Sequence, residues 1–427
     1  HYKNKMPLTL WRDLSPLAQP LRSPTVDAPH ILIIGGGVTG LVNAWVLLDR
    51  GYRVTILSSS WANPEQRLTS QIAGALWEYP PAVCGSHTDK ISLAHSKRWC
   101  MTAYHIWDGI ASIPALSEAS GVRMMPSDFF FPAPVETDAA QQSKMVEIMA
   151  SGVRGFYRGE DLMIERDVDP SYGAVDAYEV IAPIIDTDKA MDWLMQLVEG
   201  KGANLVTETI GDDLLDIEPQ LLERFDADVI INCTGLQGQV LAGDDSVYPI
   251  RGGLIRVIND GSDFPKVEAA LTITADAVHD SNEIIFLVPR NDNILLIGGI
   301  AEPHKWDLDL TLDSPIIQRM RRRCEAFLPC LKNAKVDPDY PLAQGLRPFR
   351  GNNVRVEREL RNANSRIVHS YGQGGAGWSL SFGCAQDVVM LVDEVLSGLP
   401  ARPMKEMLGD RRAAVKQRFM ADLRATL

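Results

Sequence analysis

Residues 30 to 60 read HILIIGGGVTGLVNAWVLLDRGYRVTILSSS. Ile31 to Ile34 are branched and apolar, as in a parallel strand buried on both faces. Gly35, Gly37 and Gly40 follow with the spacing G-x-G-x-x-G. A helix is expected to about Arg50, with Gly51 at its C-terminal cap, and Val54 to Leu57 read as a second strand. Strand, glycine turn, helix and strand form the setting in which such a loop binds a dinucleotide. The glycines let the backbone approach a pyrophosphate, and the helix N-terminus offers amides and partial positive charge. The competing reading is a tight strand-to-helix turn with no ligand.

The second strand of such a unit normally ends in Asp or Glu, which holds the adenosine ribose. Here Leu57 is followed by Ser58, Ser59 and Ser60. A serine can bond a ribose, but not bidentately. The departure weakens an NAD reading and leaves FAD open.

The rest of the chain narrows the class. With 427 residues, 45% of them hydrophobic, it can bury a large core and is long enough for two or three domains. Its 42 basic and 55 acidic residues give a formal charge of −13, which argues against nucleic acid or an anionic membrane as partner. The basic run Arg319, Met320, Arg321, Arg322, Arg323 lies in an expected helix opened by Ser314 and Pro315, and reads as a solvated face. No apolar run reaches the roughly 18 residues of a membrane span. Residues 1–29 hold several prolines and no apolar signal core, and read as an extended N-terminal arm. Cysteines 84, 100, 233, 324, 330 and 384 are scattered without a CxxC pair, and no HExxH occurs, so no metal is expected. An even cysteine count permits disulfides without requiring them. Asn232-Cys233-Thr234 ends a strand-like run and is not expected to carry a glycan.

A second glycine loop lies far along the chain, in IVHSYGQGGAGWSLSFGCA, 367 to 385. DADVIINCTGLQGQVL, 226 to 241, is a buried strand with a small-residue turn, and GLRPFRGNNVRVERE, 345 to 359, sets two arginines beside a proline in an expected turn. With LTSQIAGALWEYP (68 to 80), VYPIRGGLIRV (247 to 257) and NILLIGGIAEPHKW (293 to 306), these blocks resemble the D-amino acid oxidase family in both motif and order. That family belongs to the glutathione-reductase-like group of FAD enzymes. The resemblance runs from about 30 to 400 and is less clear from 85 to 175.

The resemblance implies an α/β protein: a Rossmann-like FAD-binding domain with a second, mainly antiparallel β-sheet substrate domain. The expected FAD domain gathers 30–80, 180–245 and 340–400; the substrate domain gathers 81–179 and 246–339. Residues 401–427 are charged and helix-prone, and form a tail or an oligomer contact, so a homodimer is compatible with the chain. The final Ala-Thr-Leu is not the peroxisomal Ser-Lys-Leu address, and location stays open between peroxisome and cytoplasm.

For FAD, the resemblance implies Gly35, Gly37, Val38, Thr39, Gly40, Ser58, Ser59 and Ile210 as contacts. Thr69, Ser70, Ala73, Gly74 and Trp77 would lie along the flavin, and Cys233, Thr234 and Gly235 would close over the cofactor. Gly374, Gly375, Ala376, Gly377, Trp378 and Ser379 would bring backbone groups and a helix N-terminus to the flavin ring.

For the substrate, Arg347 would grip a carboxylate with its planar fork, where the plain alternative is a salt-bridged arginine. Arg350 and Arg355 read as structural, and the Gly375 carbonyl would accept from the substrate amine. Phe286 stands where the family usually has a tyrosine, and Ala376 where it has an aromatic residue; both put the ordinary neutral substrate range in doubt. Glu78 is expected to bind a cationic group, either the substrate amine or a basic side chain, with a surface carboxylate or an internal ion pair as the plain alternative. Val247 and Trp378 are expected pocket walls, with Trp378 alternatively a core residue.

The implied reaction is oxidation of a D-amino acid with O2 as acceptor, giving hydrogen peroxide and an imino acid that hydrolyses to a 2-oxo acid and ammonia. The alternatives are an oxidase or dehydrogenase of glycine, an N-methyl amino acid or D-aspartate, or a non-catalytic FAD-binding protein.

Overall fold

The computed structural model describes residues 9–81, 90–273, 284–351 and 353–404. Strands are numbered in chain order. One sheet has six strands in the order β14 (Arg355–Arg358), β15 (Ile367–Tyr371), β7 (Val229–Asn232), β1 (His30–Ile34), β2 (Arg53–Ser58) and β6 (Asn204–Thr207). All its pairings are parallel except β14 with β15. The glycine-loop strand β1 sits between β2 and β7, which explains its unbroken apolar run: neither face meets water.

The first helix (Val38–Asp49) ends as expected, with Gly51 at φ +89° just past it. Its Asp49 is fully buried and carries the described part of the N-terminal arm. Asp49 accepts from the amides of Ser15 and Leu21 at 2.8 and 2.9 Å, and from Lys201 Nζ at 2.7 Å. Burial lowers the Lys201 pKa, and the Asp49 carboxylate opposes that shift. From Thr9 to Pro29 the arm is therefore a docked segment.

The second sheet holds β12 (Glu302–Pro303), β8 (Val247–Ile258), β11 (Ile294–Gly298), β10 (Ile285–Pro289), β9 (Ala270–Ile273), β3 (Val122–Phe131), β5 (Asp176–Ile185) and β4 (Tyr157–Arg158), with β13 (Leu342–Arg350) on the free side of β8. Its pairings are antiparallel except β3 with β9. The α/β architecture with a mainly antiparallel second sheet is thus as the sequence implied.

One element differs. The arginine–proline stretch is a strand, not a turn: β13 pairs with β8 over nine positions, Leu342↔Ile255 to Arg350↔Val247. Pro348 is tolerated because β13 is an edge strand, and the residue across from it is Pro249. The expected divisions at 180 and 340 fall beside or within strands of this sheet, since β5 spans Asp176–Ile185 and β13 begins at Leu342.

The last helix (Gly377–Leu396) packs on the first helix and on Lys90–Ala111. A Cβ on Gly383 would run into the Trp99 backbone, so glycine permits this close crossing. Asp387 locks it by accepting from Trp99 Nε1 at 2.8 Å and from both Arg98 Nη atoms. In the basic run, Arg319 and Arg322 are exposed as expected, whereas Arg323 donates to the Ile284 and Gly299 carbonyls and Arg321 to Glu325 and Ala334. Cys100, Cys233, Cys324, Cys330 and Cys384 are free thiols. Cys84 and the tail from 405 lie outside the described residues. Among the described residues no cluster could hold a metal ion, and no helix is long and apolar enough to cross a membrane.

Candidate cofactor and substrate site

A cavity of about 560 Å³ opens at the C-terminal ends of β1, β2 and β7 and extends to the β8–β13 pair. Open α/β sheets place ligands at this edge, beside the point where strand order reverses. The volume lies in the usual range for a ligand pocket.

At one end lies the first glycine loop. Gly35 has φ +120°, and a Cβ there would run into the Cys233 carbonyl. A Cβ on Gly40 would strike the Gly35 carbonyl oxygen, so Gly40 seats the helix on its own turn and does not line the cavity. Gly37 caps the first helix without a side chain, and the first turn carries no acid. The helix start therefore faces the cavity as a positive dipole end.

The second glycine loop reaches the same cavity beside the first, with Gly377 against Val38. Gly374 has φ +60°, and its amide donates to the Pro348 carbonyl at 3.0 Å, tying the loop to β13. The last helix begins at Gly377 with no capping side chain and no acid in its first turn. Ser70 joins the two loops. Its Oγ accepts from the Val38 amide at 3.0 Å, and its carbonyl accepts from Trp378 Nε1 at 2.9 Å.

Arg347 projects from β13 into this cavity. Opposite it, Gly252 leaves the room: a Cβ there would sit 2.6 Å from Arg347 Nη2 and 2.7 Å from its Cζ. Arg347 Nη2 donates to the Ile300 carbonyl at 3.1 Å. Among the described residues no carboxylate pairs with it. Desolvation by the surrounding walls lowers its pKa to about 10, so the guanidinium is still a cation at neutral pH. Its neighbours on the chain are engaged elsewhere: Arg350 with Asp244 at 2.6 Å, and Arg355 with Glu357 at 2.8 Å and with the Tyr371 hydroxyl.

The family model described as DAO, FAD dependent oxidoreductase, matches residues 30–391. The chain belongs to this family. D-amino-acid oxidase from Streptomyces coelicolor is 30% identical over 364 residues, covering 85% of this chain and 96% of that protein. D-aspartate oxidase from Homo sapiens is 26% identical over 381 residues, covering 88% and 97%. Among solved structures, glycine oxidase from Geobacillus kaustophilus superimposes with a TM-score of 0.64 at 18% identity, covering 86% of this chain and 95% of that one. That last likeness is one of fold.

The family's cofactor is FAD, and the residues present fit it. Two helix starts without acids or capping side chains face one cavity, and side chains added at the glycine loop would crowd it: a Cβ on Gly36 would lie 2.9 Å from Ser58 Oγ, and one on Gly37 3.0 Å from Ser70 Oγ. Of the residues expected at the cofactor, Gly35, Gly37, Val38, Thr39, Ser58, Ser59, Thr69, Ser70, Ala73, Gly74, Ile210, Cys233, Thr234, Gly235, Gly374, Gly375, Gly377 and Trp378 line the cavity.

Trp77, Ala376 and Ser379 do not line it, and neither does Val247. Trp77 is buried, donates to the Cys100 carbonyl at 2.8 Å and packs edge-on against Tyr104. Phe286 stands behind the cavity wall, its ring against Gly74, where a Cβ would collide with it. Glu78 is also off the cavity; its carboxylate takes Lys144 Nζ at 3.0 Å, in a pair largely shielded from water. The sequence reading missed Gly252, the seat of Arg347, although the Gly252-Gly253 doublet inside an apolar strand was a visible signal. It also missed Glu208, which lines the cavity beside the three serines.

Proposed function

We propose that this FAD-dependent oxidoreductase oxidises the α-amine of a D-amino acid whose carboxylate is held by Arg347. The observation that carries the reading is the guanidinium itself: desolvated, facing the cavity, and without a carboxylate partner among the described residues. A partly buried, unpaired cation gains most from an incoming anion, and a planar fork binds a carboxylate through two parallel hydrogen bonds. Gly252 leaves the room that the guanidinium occupies, and the Ile300 carbonyl holds one of its nitrogens at 3.1 Å.

FAD, when bound, supplies the acceptor for two electrons and passes them to O2, giving hydrogen peroxide. The chain's own part is positioning. In this reading Arg347 fixes the carboxylate, and the carbonyl of Gly375, which lines the same cavity, accepts from the amine and so turns the Cα–H toward the cofactor. Leu254, Leu346 and Ile72 supply apolar wall around that centre. Glu78 is paired with Lys144, which favours substrates without a basic side chain. The imino acid product then hydrolyses to a 2-oxo acid and ammonia.

Similarity to D-amino-acid oxidases supports the D configuration. The test is bleaching of the flavin spectrum without oxygen, adding D-amino acids, L-amino acids, glycine and N-methylglycine one at a time. Bleaching by neutral D-amino acids alone is expected. Bleaching by glycine or N-methylglycine in preference would move the substrate class, and no bleaching by any of them would overturn the reading.

A further inference from the structure

Among the described residues, the hydrogen-bond partner of Arg347 is the Ile300 carbonyl, and that carbonyl belongs to an irregular stretch of the second sheet. Along β8, β11 pairs as far as Ile297↔Ile255, and β12 resumes with Glu302↔Arg251. Residues 298–301 therefore stand opposite residues 252–254, four against three, which makes a β-bulge. The short side of this bulge includes Gly252, where the Arg347 guanidinium finds its room. Gly299, Ile300 and Ala301 lie outside both strands, so no regular ladder sets the direction of their carbonyls.

Two arginines take successive carbonyls of the bulge. Arg347 takes that of Ile300 at 3.1 Å. Arg323 takes that of Gly299, with Nη2 at 2.6 Å, while its Nε donates to the Ile284 carbonyl at 2.8 Å, just before β10. Arg323 belongs to the helix Pro315–Phe327, which packs on β10 and β11, and it does not line the cavity. The next residue on that helix, Cys324, adds a weaker contact from its thiol to the Gly298 carbonyl at 3.5 Å. A planar cation that holds two carbonyls from separate strands restrains both through charge-assisted bonds.

We infer that Arg323 is a positioning residue for substrate binding. It fixes the bulge at Gly299, and the bulge in turn presents the Ile300 carbonyl that aims Arg347. The inference rests on the reading of Arg347 as the carboxylate anchor. A role confined to fastening the helix to the sheet would change stability and leave substrate affinity alone.

The test is anaerobic flavin reduction of the holoenzyme by D-alanine, in wild type, Arg323→Met, Arg347→Lys and the double variant. For Arg323→Met the apparent dissociation constant of D-alanine is expected to rise about five-fold or more, with FAD affinity and the limiting rate of reduction within about two-fold of wild type. In the Arg347→Lys background the same change should add nothing further, because the fork that the bulge aims is gone. Unchanged D-alanine affinity in Arg323→Met would overturn the inference, as would a full further loss in the double variant. A wild type that D-alanine does not reduce, or an Arg347→Lys that binds it normally, would instead overturn the substrate reading and the inference with it. Should Arg323→Met fail to fold, Arg323→Lys carries the test: it keeps the charge but cannot span both carbonyls, and a smaller rise with the same dependence on Arg347 is expected.

Discussion

The two glycine loops serve one cavity but use glycine for different reasons. At 35–40 the demand is internal: side chains at Gly35 and Gly40 would strike backbone carbonyls of Cys233 and Gly35, so the turn cannot close without them. At the start of the last helix the demand is external. A Cβ on Gly377 would meet only Val38 Cγ1, at an ordinary 3.6 Å, yet Gly377 lines the cavity. Gly35 and Gly40 let the first turn close, whereas Gly377 leaves space that the fold does not need; Gly374, at φ +60° in the second loop, is again a demand of the backbone. Similar letters in a sequence therefore carry different costs, and the costs can be measured apart.

The largest effect should come from Gly40→Ala. The added methyl is forced into a carbonyl on a short turn, an overpacking expected to cost about 3 kcal/mol. The urea midpoint of apoprotein should fall sharply, with FAD binding lost alongside. Gly377→Ala sharpens the contrast. Apoprotein stability should move by less than about 0.5 kcal/mol, since alanine suits a helix start better than glycine does, while FAD affinity falls. If both variants lose stability alike, the distinction between the loops is broken.

Ser70→Ala tests the coupling between them. The hydroxyl satisfies the Val38 amide in one loop, while the Ser70 carbonyl holds Trp378 in the other and is left intact by the change. A loss of about 1 kcal/mol in apoprotein stability is expected. FAD titration should show weaker binding, because the first helix start is less firmly held.

The last prediction concerns the pH at which such comparisons are made. Asp128 and Glu179 face each other across β3 and β5 and share Arg166, with Asp128 fully buried. Burial, with help from Glu179, pushes the Asp128 carboxyl up to about 8 despite Arg166. The folded protein then keeps a proton that the unfolded chain releases near the ordinary carboxylate value. Stability falls as pH rises from about 4 toward 8 and levels off above it. Urea midpoints at pH 6 and pH 9 should differ less in Asp128→Asn than in the wild type.

How much of this was legible in the sequence follows physical range. The β1 loop and its helix were readable because strand, turn and helix signals are local to 31 residues. The last helix start was readable for the same reason. What escaped depends on partners far along the chain. Pro348 and Gly351 look like a turn until β8, nearly a hundred residues earlier, is seen to pair with β13. Glu78 reads as a free carboxylate or an ion pair with equal ease; Lys144 is 66 positions away. The N-terminal arm looked extended because nothing in it announces that Asp49 will accept two of its amides.

The central claim is that Arg347 is the carboxylate anchor of an FAD-dependent amino acid oxidation. Its most direct test is the substrate dependence of anaerobic flavin reduction in wild type and Arg347→Lys, with FAD content matched. A lysine keeps the charge but loses the fork. The account predicts an apparent substrate dissociation constant raised about 10- to 100-fold by loss of the bidentate contact, with the flavin spectrum and FAD affinity unchanged. Equal substrate affinity in the two proteins would contradict it.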